Sequence, residues 1–392
     1  MPDPMRDVGA RIATARRARR MTQVQLAAAA HISPSLLRKI EQGQRRPSDE
    51  ALDGIAAALS LDPSRLEAGP DRSEDRVRIA LPAVSAAIAA YDVPAGVLGR
   101  SLAELRAAVA EAAAWRLASQ YVRLVTAAPT LLADTLAAFH TATGQDTAEA
   151  ARLLTSAARS ADAVAYKHGA RDLSARLIEL MRWAAPHAGD PLLPAVVSYV
   201  RTETFFAARA HDAGQRALEM AIDAAPPPDN PPAAAARGAL HMRAAVIAAR
   251  AKAADSARAH LREAGTLAER APEAVYAGTA FGPDSVRIHR VAVAVSLGGD
   301  HAADALTVAR EWKPPTDLPA ERRSGFYIEL ARAQLWTGRT DHAFESLKVA
   351  RRIAPQHTRE HPWARETAAT LRRLKRADAE SVTAFAEWVG AV

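Results

Sequence analysis

The chain has no cysteine among its 392 residues, which excludes disulfide bonds, thiolate nucleophiles and cysteine-ligated zinc. It also lacks an apolar core near its first residues, so we predict no secretory signal peptide. The most apolar stretch, residues 79–99, is interrupted by two prolines, an aspartate and a glycine, and we predict no membrane span there. A cytoplasmic location is the expectation from these three absences.

Lysine is scarce: only six of the 51 basic side chains are lysines, although the net charge is +7 and the isoelectric point is about 9.9. Together with abundant alanine, this skew indicates a GC-rich genome rather than selection for binding a polyanion. The distribution of charge is more informative, because residues 1–68 hold eleven basic against eight acidic side chains. The basic groups cluster at 16–20 and 38–46, and such clustering favours a DNA-binding surface.

Catalytic motifs are missing too. The sequence has no G-x-S-x-G motif, no phosphate-binding loop and no dinucleotide fingerprint. The string His-Thr-Arg-Glu-His at 357–361 fits an inverted zinc-peptidase motif, but Pro355 and Pro362 bracket it. Since a residue before proline is pushed out of the α region, we predict an inter-helix loop without zinc. We therefore predict no enzyme, no catalytic residue, no cofactor and no metal.

Two short helices on either side of a tight turn are predicted early in the chain. Thr22 and Gln25 have the spacing of a capping box, so the first helix begins at Gln23. The second begins with Ser33 as N-cap and a proline at its first position, where the missing N–H costs nothing. Gly43 stands where a left-handed C-cap is needed. This arrangement is typical of a helix-turn-helix, whose second helix enters the major groove.

The outward side chains of the second helix, and of the loop after it, are short, polar or basic. Arg38 is the strongest candidate for a bidentate contact with guanine, and Gln23 is placed to bind phosphate with the amides of its helix. The alternative is a surface helix that happens to be basic. The predicted DNA-binding residues are Gln23, Ser33, Pro34, Ser35, Arg38, Lys39, Gln42, Gln44, Arg45 and Arg46.

Residues 5–68 resemble the Cro/C1 (XRE-type) DNA-binding domain of phage repressors and many bacterial regulators. The resemblance implies a pair between Arg16 and Glu41, and five helices near 7–19, 23–30, 34–42, 48–59 and 63–67. Arg38 departs from the serine of many members, so no operator sequence can be transferred. The family pattern is met by Thr22, Gln23, Leu26, Ala27, Ser33, Ile40, Glu41, Gly43, Pro47 and Ser48.

From Ser101 onward, alanine and leucine recur at three- and four-residue spacing, which predicts an all-α region. Small–large–small triplets recur in four units whose starts lie 43, 45 and 41 residues apart. This period predicts helical hairpins stacked into an α-solenoid with a concave surface. The triplets are Gly214/Leu218/Ala221, Ala257/Leu261/Ala264, Ala302/Leu306/Ala309 and Ala343/Leu347/Ala350.

The units resemble tetratricopeptide repeats with longer loops, although a generic helical-hairpin solenoid remains open. An earlier helix pair is predicted at about 146–185, with capping helices near 101–127 and 129–143. A Cro/C1-type head followed by degenerate repeats is similar to a group of actinobacterial regulators. It is similar, more distantly, to the peptide-sensing regulators of Gram-positive bacteria.

The first helices of the four units are expected to project aromatic and arginine side chains into the concave groove. Such a set favours a peptide or an acidic small molecule as ligand, and inter-repeat packing is the alternative. Trp115, Trp183 and Trp388 are assigned to the core instead. The predicted groove residues are Tyr199, Glu203, Phe206, Met242, Arg250, Arg287, Arg332 and Trp336.

The sequence thus predicts an all-α protein with a five-helix DNA-binding domain at 1–68, a linker with a short helix at 69–100, and a tetratricopeptide-like sensor and dimerisation domain at 101–392. The predicted function is a homodimeric, sequence-specific transcriptional regulator that binds double-stranded DNA and senses a peptide or small-molecule effector, with no membrane partner. The alternative is a scaffold whose repeats bind a partner protein while the helix-turn-helix localises it.

Overall fold

The structure, a computed structural model, describes residues 4–59, 61, 66, 72–93, 99–374 and 379–391. Across these residues the regular structure is twenty α-helices, two short 3-10 turns and one two-stranded antiparallel hairpin. The prediction of an all-α protein is therefore confirmed.

Four helices pack around a small apolar core at the N-terminus. Two glycines allow their close approach: a Cβ at Gly9 would lie 2.2 Å from the carbonyl oxygen of Ile40, and one at Gly54 would lie 2.6 Å from that of Ala30. The first four helices implied by the family resemblance are confirmed. The fifth, at 63–67, lies outside the described residues except for Leu66, which is buried in this core. The four helices are α1 (Pro4–Ala18), α2 (Gln23–Ala29), α3 (Pro34–Glu41) and α4 (Asp49–Ala58).

The segment after the head forms a longer helix than predicted. Helix α5 (Arg72–Ala87) replaces the short helix expected from the sequence within 69–100. Val77, Val84 and Ile88 follow one another at helical spacing, and all three are buried in the main hydrophobic core of the repeat region. The helix therefore begins within the charged residues of the predicted linker, because its buried apolar positions start at Val77.

Four more helices follow, and the turn between the first two differs from the prediction. It lies at 118–120, where Ser119 has a φ of +59°, and Pro129 sits inside the second helix rather than between two helices. That second helix, α7, is the one helix in the described part of the chain that is long and apolar enough to cross a membrane. Half of its most apolar segment is buried within the protein. The four are α6 (Leu102–Leu117), α7 (Tyr121–Thr141), α8 (Gln145–Lys167) and α9 (Arg171–Ala184).

Eight helices form the four repeat units, and each predicted triplet lies on the second helix of its unit. Leu218 and Leu347 fill the seams of the first and last units and are fully buried, whereas Leu261 and Leu306 are half-buried. The hairpin repeat predicted from the triplets is confirmed. The units are α10 (Leu193–Ala208) with α11 (His211–Ala224), α12 (Pro231–Arg250) with α13 (Ala254–Ala268), α14 (Pro283–Leu297) with α15 (Ala302–Glu311), and α16 (Ala320–Trp336) with α17 (Thr340–Ile353).

A β-hairpin that the sequence did not predict stands between α13 and α14. Strands β1 (Ala274–Tyr276) and β2 (Thr279–Phe281) pair antiparallel, and the turn residues Ala277 and Gly278 have φ angles of +44° and +79°. Phe281 is fully buried against α12 at Gly238, where a Cβ would lie 2.0 Å from its Cζ. The glycine thus makes the space that holds the hairpin on α12.

The chain ends in three helices. The loop predicted at 357–361 is wrong, because Pro355 begins a six-residue helix, as a proline at the first helical position readily does. The helix stops at His361, which is extended (φ −77°, ψ 120°) before Pro362, so the expected effect of that proline is confirmed. The helices are α18 (Pro355–Glu360), α19 (Pro362–Leu374) and α20 (Ala379–Trp388).

Candidate DNA-binding surface and solenoid cavity

The ends of α2 and α3 are fixed by their own side chains. The Thr22 hydroxyl accepts a hydrogen bond from the Gln25 amide (3.1 Å), and the Gln25 side chain accepts one from the Thr22 amide (2.8 Å). Ser33 caps α3 by accepting from the Leu36 amide (3.1 Å). Gly43 has a φ of +70° just beyond the helix. The predicted capping box, N-cap and left-handed glycine are confirmed.

Glu41, at the end of α3, links this helix to α1 and α2. Its carboxylate accepts from Arg16 Nε (2.7 Å) and Nη2 (3.0 Å), so the implied pair is present, and also from Gln23 Nε2 (2.7 Å). Burial by itself raises the pKa of Glu41, but the hydrogen bonds from Arg16 and Gln23 outweigh burial and lower it. The side-chain amide of Gln23 therefore donates within the protein.

The opposite side of α3 faces outward and is basic. Leu37 and Ile40 are buried beneath it. The single acidic residue of α3 is Glu41, whose carboxylate is held by Arg16 and Gln23, so the outer side of α3 carries no carboxylate. The exposed residues are Ser33, Pro34, Ser35, Arg38, Lys39, Gln42, Gln44, Arg45 and Arg46.

Inside the repeat region, two arginines donate hydrogen bonds to the β-hairpin at its turn. Arg159 of α8 donates to the Ala277 carbonyl (2.5 Å) and to the Thr279 hydroxyl (2.6 Å), and Arg116 of α6 donates to the Gly278 carbonyl (2.8 Å). Both arginines are buried, and burial together with the charge of Arg116 lowers the pKa of Arg159 to about 9. The hairpin turn is thus tied to α6 and α8.

A cavity of about 220 Å³ lies beside this turn and is lined by charged groups. Lys167 forms an ion pair with Glu321 (2.7 Å), and Arg243 lies 3.6 Å from Glu203. The His357 ring, from the segment expected to be a loop, also lines the cavity, and burial lowers its pKa to about 3. This cavity, which we call the inner cavity, is lined by paired charges and by a neutral imidazole.

Two larger cavities, of about 530 and 960 Å³, adjoin the first, because Arg250 lines all three. We call them the mouth of the solenoid. Arg250 and Trp363 line both, and Arg332 and Trp336 line the larger one.

Six of the eight predicted groove residues line these cavities. Met242 does not, because it is fully buried in the hydrophobic core. Arg287 does not either: it is exposed, pairs with Asp284 (3.0 Å) and lies over the Trp312 ring. The six that meet are Tyr199, Glu203, Phe206, Arg250, Arg332 and Trp336.

Several residues that line the cavities are absent from the predicted groove set. Arg116 lies in a predicted capping helix, Arg159 lies in the helix pair predicted at about 146–185, and Trp363 follows the segment predicted to be a loop. The sequence does carry a signal for Arg159. It lies among alanines on the apolar stripe of α8, where a charged side chain is expected only if it has a buried partner. Trp115, Trp183 and Trp388, assigned to the core, do pack against the hydrophobic clusters.

No group of three or more histidine, aspartate or glutamate side chains in the described residues is arranged to hold a metal ion. The rings of His357 and His361 lie 5.3 Å apart, edge to face.

Three solved structures are similar to this chain at low identity. PlcR of Bacillus thuringiensis, solved with the peptide PapR7 and DNA, is 15% identical with a TM-score of 0.28, over 67% of this chain and 95% of that one. The apo form of the competence regulator ComR from Streptococcus vestibularis is 12% identical (TM-score 0.31; 96% and 99% covered), and a PrgX mutant is 8% identical (TM-score 0.28; 97% and 99% covered).

No curated protein matches the chain at a significant level. Residues 7–69 match a family model described as a helix-turn-helix domain. The match spans the capped helices α2 and α3 and the Glu41 clamp. The N-terminal part of this chain is a helix-turn-helix domain.

Proposed function

We propose that this protein is a cytoplasmic, sequence-specific DNA-binding transcriptional regulator of the XRE type, active as a homodimer. The observation that carries the proposal is the outer side of α3, which presents Ser35, Arg38 and Lys39 on a helix anchored from beneath by Glu41. Direct readout of a major groove requires such a rigid and accessible helix.

We assign DNA binding to residues 1–68, and effector sensing and dimerisation to residues 101–392. Segment 69–100 connects them, and its helix α5 packs on α7. Arg123 of α7 also forms a bidentate pair with Asp53 of α4 (2.8 and 2.9 Å), which ties the head to the repeats. This contact supports communication between the two regions.

The proposed mechanism is a population shift. A peptide or small molecule bound in the concave face changes the relative placement of the two heads of a dimer. Half-sites must lie about 34–36 Å apart or at a multiple of that distance, so a small rotation of one head loses contacts with DNA.

The test is binding to duplex DNA across a range of salt concentrations. One duplex is selected from a random library by the wild-type protein, and the other is its scrambled version. Arg38→Ala should reduce the preference for the selected duplex, at about 1–3 kcal/mol for a lost guanine contact. The double change Arg45→Ala/Arg46→Ala should weaken binding to both duplexes and flatten the salt dependence, because phosphate contacts release counterions.

Arg290→Ala, which removes an exposed arginine of α14, is the control and should bind as the wild type does. Identical behaviour of all variants would contradict the assignment. A stoichiometric protein partner on the repeats, with DNA affinity unaffected by peptides and small molecules, would favour the scaffold function instead.

A further inference from the structure

Five side chains from four helices form an alternating column of rings and guanidinium groups at the mouth of the solenoid. The Arg250 guanidinium lies 4.2 Å from the ring centre of Phe206 and 5.3 Å from that of Trp363. The Arg332 guanidinium lies 4.3 Å from Trp363 and 4.8 Å from Trp336. We call this column the arginine–aromatic ladder.

Stacking covers the faces of the two guanidinium groups and leaves their N–H edges as donors. Nε of Arg250 is buried and has no hydrogen-bond acceptor. Arg332 has a carboxylate, Glu366, 3.5 Å away, but that side chain is 62% exposed. The ladder therefore holds two positive groups in place, and one of them, Arg250, keeps a buried donor that no protein group accepts.

The surroundings of the ladder are strongly positive. Nine arginine and lysine side chains line the two cavities of the mouth, against a single lining carboxylate, Glu360. Two of the nine, Lys167 and Arg243, pair with Glu321 and Glu203 of the inner cavity, and positive charge remains in excess. Glu360 already accepts a hydrogen bond from Arg365 (2.8 Å). Glu329 interacts with Arg250 and Arg332, and burial raises the pKa of its carboxyl to about 8 against the lowering effect of these two arginines, which favours the neutral form.

The rings add a second requirement on the ligand. Trp336 is 44% exposed at the outer end of the ladder, an unusual position for so large an apolar side chain. The cavities of about 530 and 960 Å³ that meet at the ladder lie within the range of sites for small organic molecules. A bare inorganic anion would leave this apolar surface uncovered.

We propose that the mouth of the solenoid binds a small organic anion that carries a planar ring. The carboxylate, sulfonate or phosphate lies on the N–H edges of Arg250 and Arg332, and the ring lies against Trp336 and Trp363. The inference names the effector class of the sensing site, so it rests on the proposed function.

The test uses two fluorescent probes with the same ring system on the full-length protein. One is 8-anilinonaphthalene-1-sulfonate, an anion, and the other is N-phenyl-1-naphthylamine, which lacks the sulfonate. We expect saturable binding of the anion at least tenfold tighter than that of the neutral probe. Arg332→Gln should reduce that difference by weakening binding of the anion alone, since Arg250 remains, and Trp336→Ala should weaken binding of both probes.

Arg310→Gln is the matched control, because Arg310 is 76% exposed and lies outside the mouth. Circular dichroism melting checks that each variant is folded. Equal affinity for the two probes, or unchanged sulfonate binding in Arg332→Gln, would overturn the inference. DNA binding of the wild-type protein separates the two proposals: no selectivity for the anion with intact DNA recognition refutes only the site, whereas selective anion binding without sequence-specific DNA recognition refutes only the function.

Discussion

Replacement of Gly238 by alanine tests how the β-hairpin is seated on the repeats. The new Cβ would lie 2.0 Å from Cζ and 2.2 Å from Cε2 of the fully buried Phe281 ring, so the ring must withdraw by more than 1 Å. Overpacking of this kind costs about 1–3 kcal/mol, and we expect the upper end because a whole ring is displaced. Alanine in a helix recovers about 1 kcal/mol relative to glycine. The expected net loss is therefore about 2 kcal/mol.

Gly265→Ala is the matched control. It makes the same exchange inside α13, where nothing lies within 4 Å of the new Cβ, so it should stabilise by about 0.5–1 kcal/mol. Thermal unfolding followed by tryptophan fluorescence measures both changes. Hydrogen exchange should locate the loss in Gly238→Ala at residues 274–281. Equal stabilisation by the two alanines would show that Phe281 does not occupy the space at Gly238, and would refute the reasoning.

Two further predictions concern the head. Glu41→Gln should cost about 2 kcal/mol, because it leaves the half-buried Arg16 without its charged acceptor, and amide exchange in α1–α3 should accelerate. Since the folded pKa of Glu41 is lowered, its stabilisation is complete above the ordinary value of 4.5 and is lost as the pH falls through the lower, folded value; protection that is insensitive to acid would contradict the clamp. Arg123→Ala should cost about 0.5–1 kcal/mol, because its partner Asp53 is 44% exposed. A double-mutant cycle with Asp53→Asn measures this coupling, and strictly additive losses would exclude the contact.

The head could be predicted almost residue by residue, because its determinants are local. The hydroxyls of Thr22 and Ser33 meet amides only three residues away, and Gly43 supplies a positive φ on its own. The Arg16–Glu41 pair spans 25 residues and came from the family resemblance instead. Gln23 shows the limit: it begins α2 as predicted, but its hydrogen bond to Glu41 depends on how α2 and α3 pack.

The repeats show the same division. The triplets alone determined that four helical hairpins would form, since small residues at helical spacing permit close helix packing. They did not determine which side of α12 faces the cavity, so Met242 and Arg250 were predicted together although only Arg250 reaches it. That choice depends on the angle between successive hairpins, which a repeat period does not contain.

The sequence by itself therefore determined the first four helices of the head with the caps of α2 and α3, the helical hairpins of the four repeat units and the outward side of α3. The tertiary structure alone decided the hairpin and the ladder. Strands of three residues are too short to show alternation, and this turn is held by Arg116 and Arg159, which lie 162 and 118 residues from their carbonyl partners. The ladder joins α10, α12, α16 and α19 across the concave face. Contacts at such separations exist only once the repeats have folded and stacked, because no local sequence pattern positions both partners.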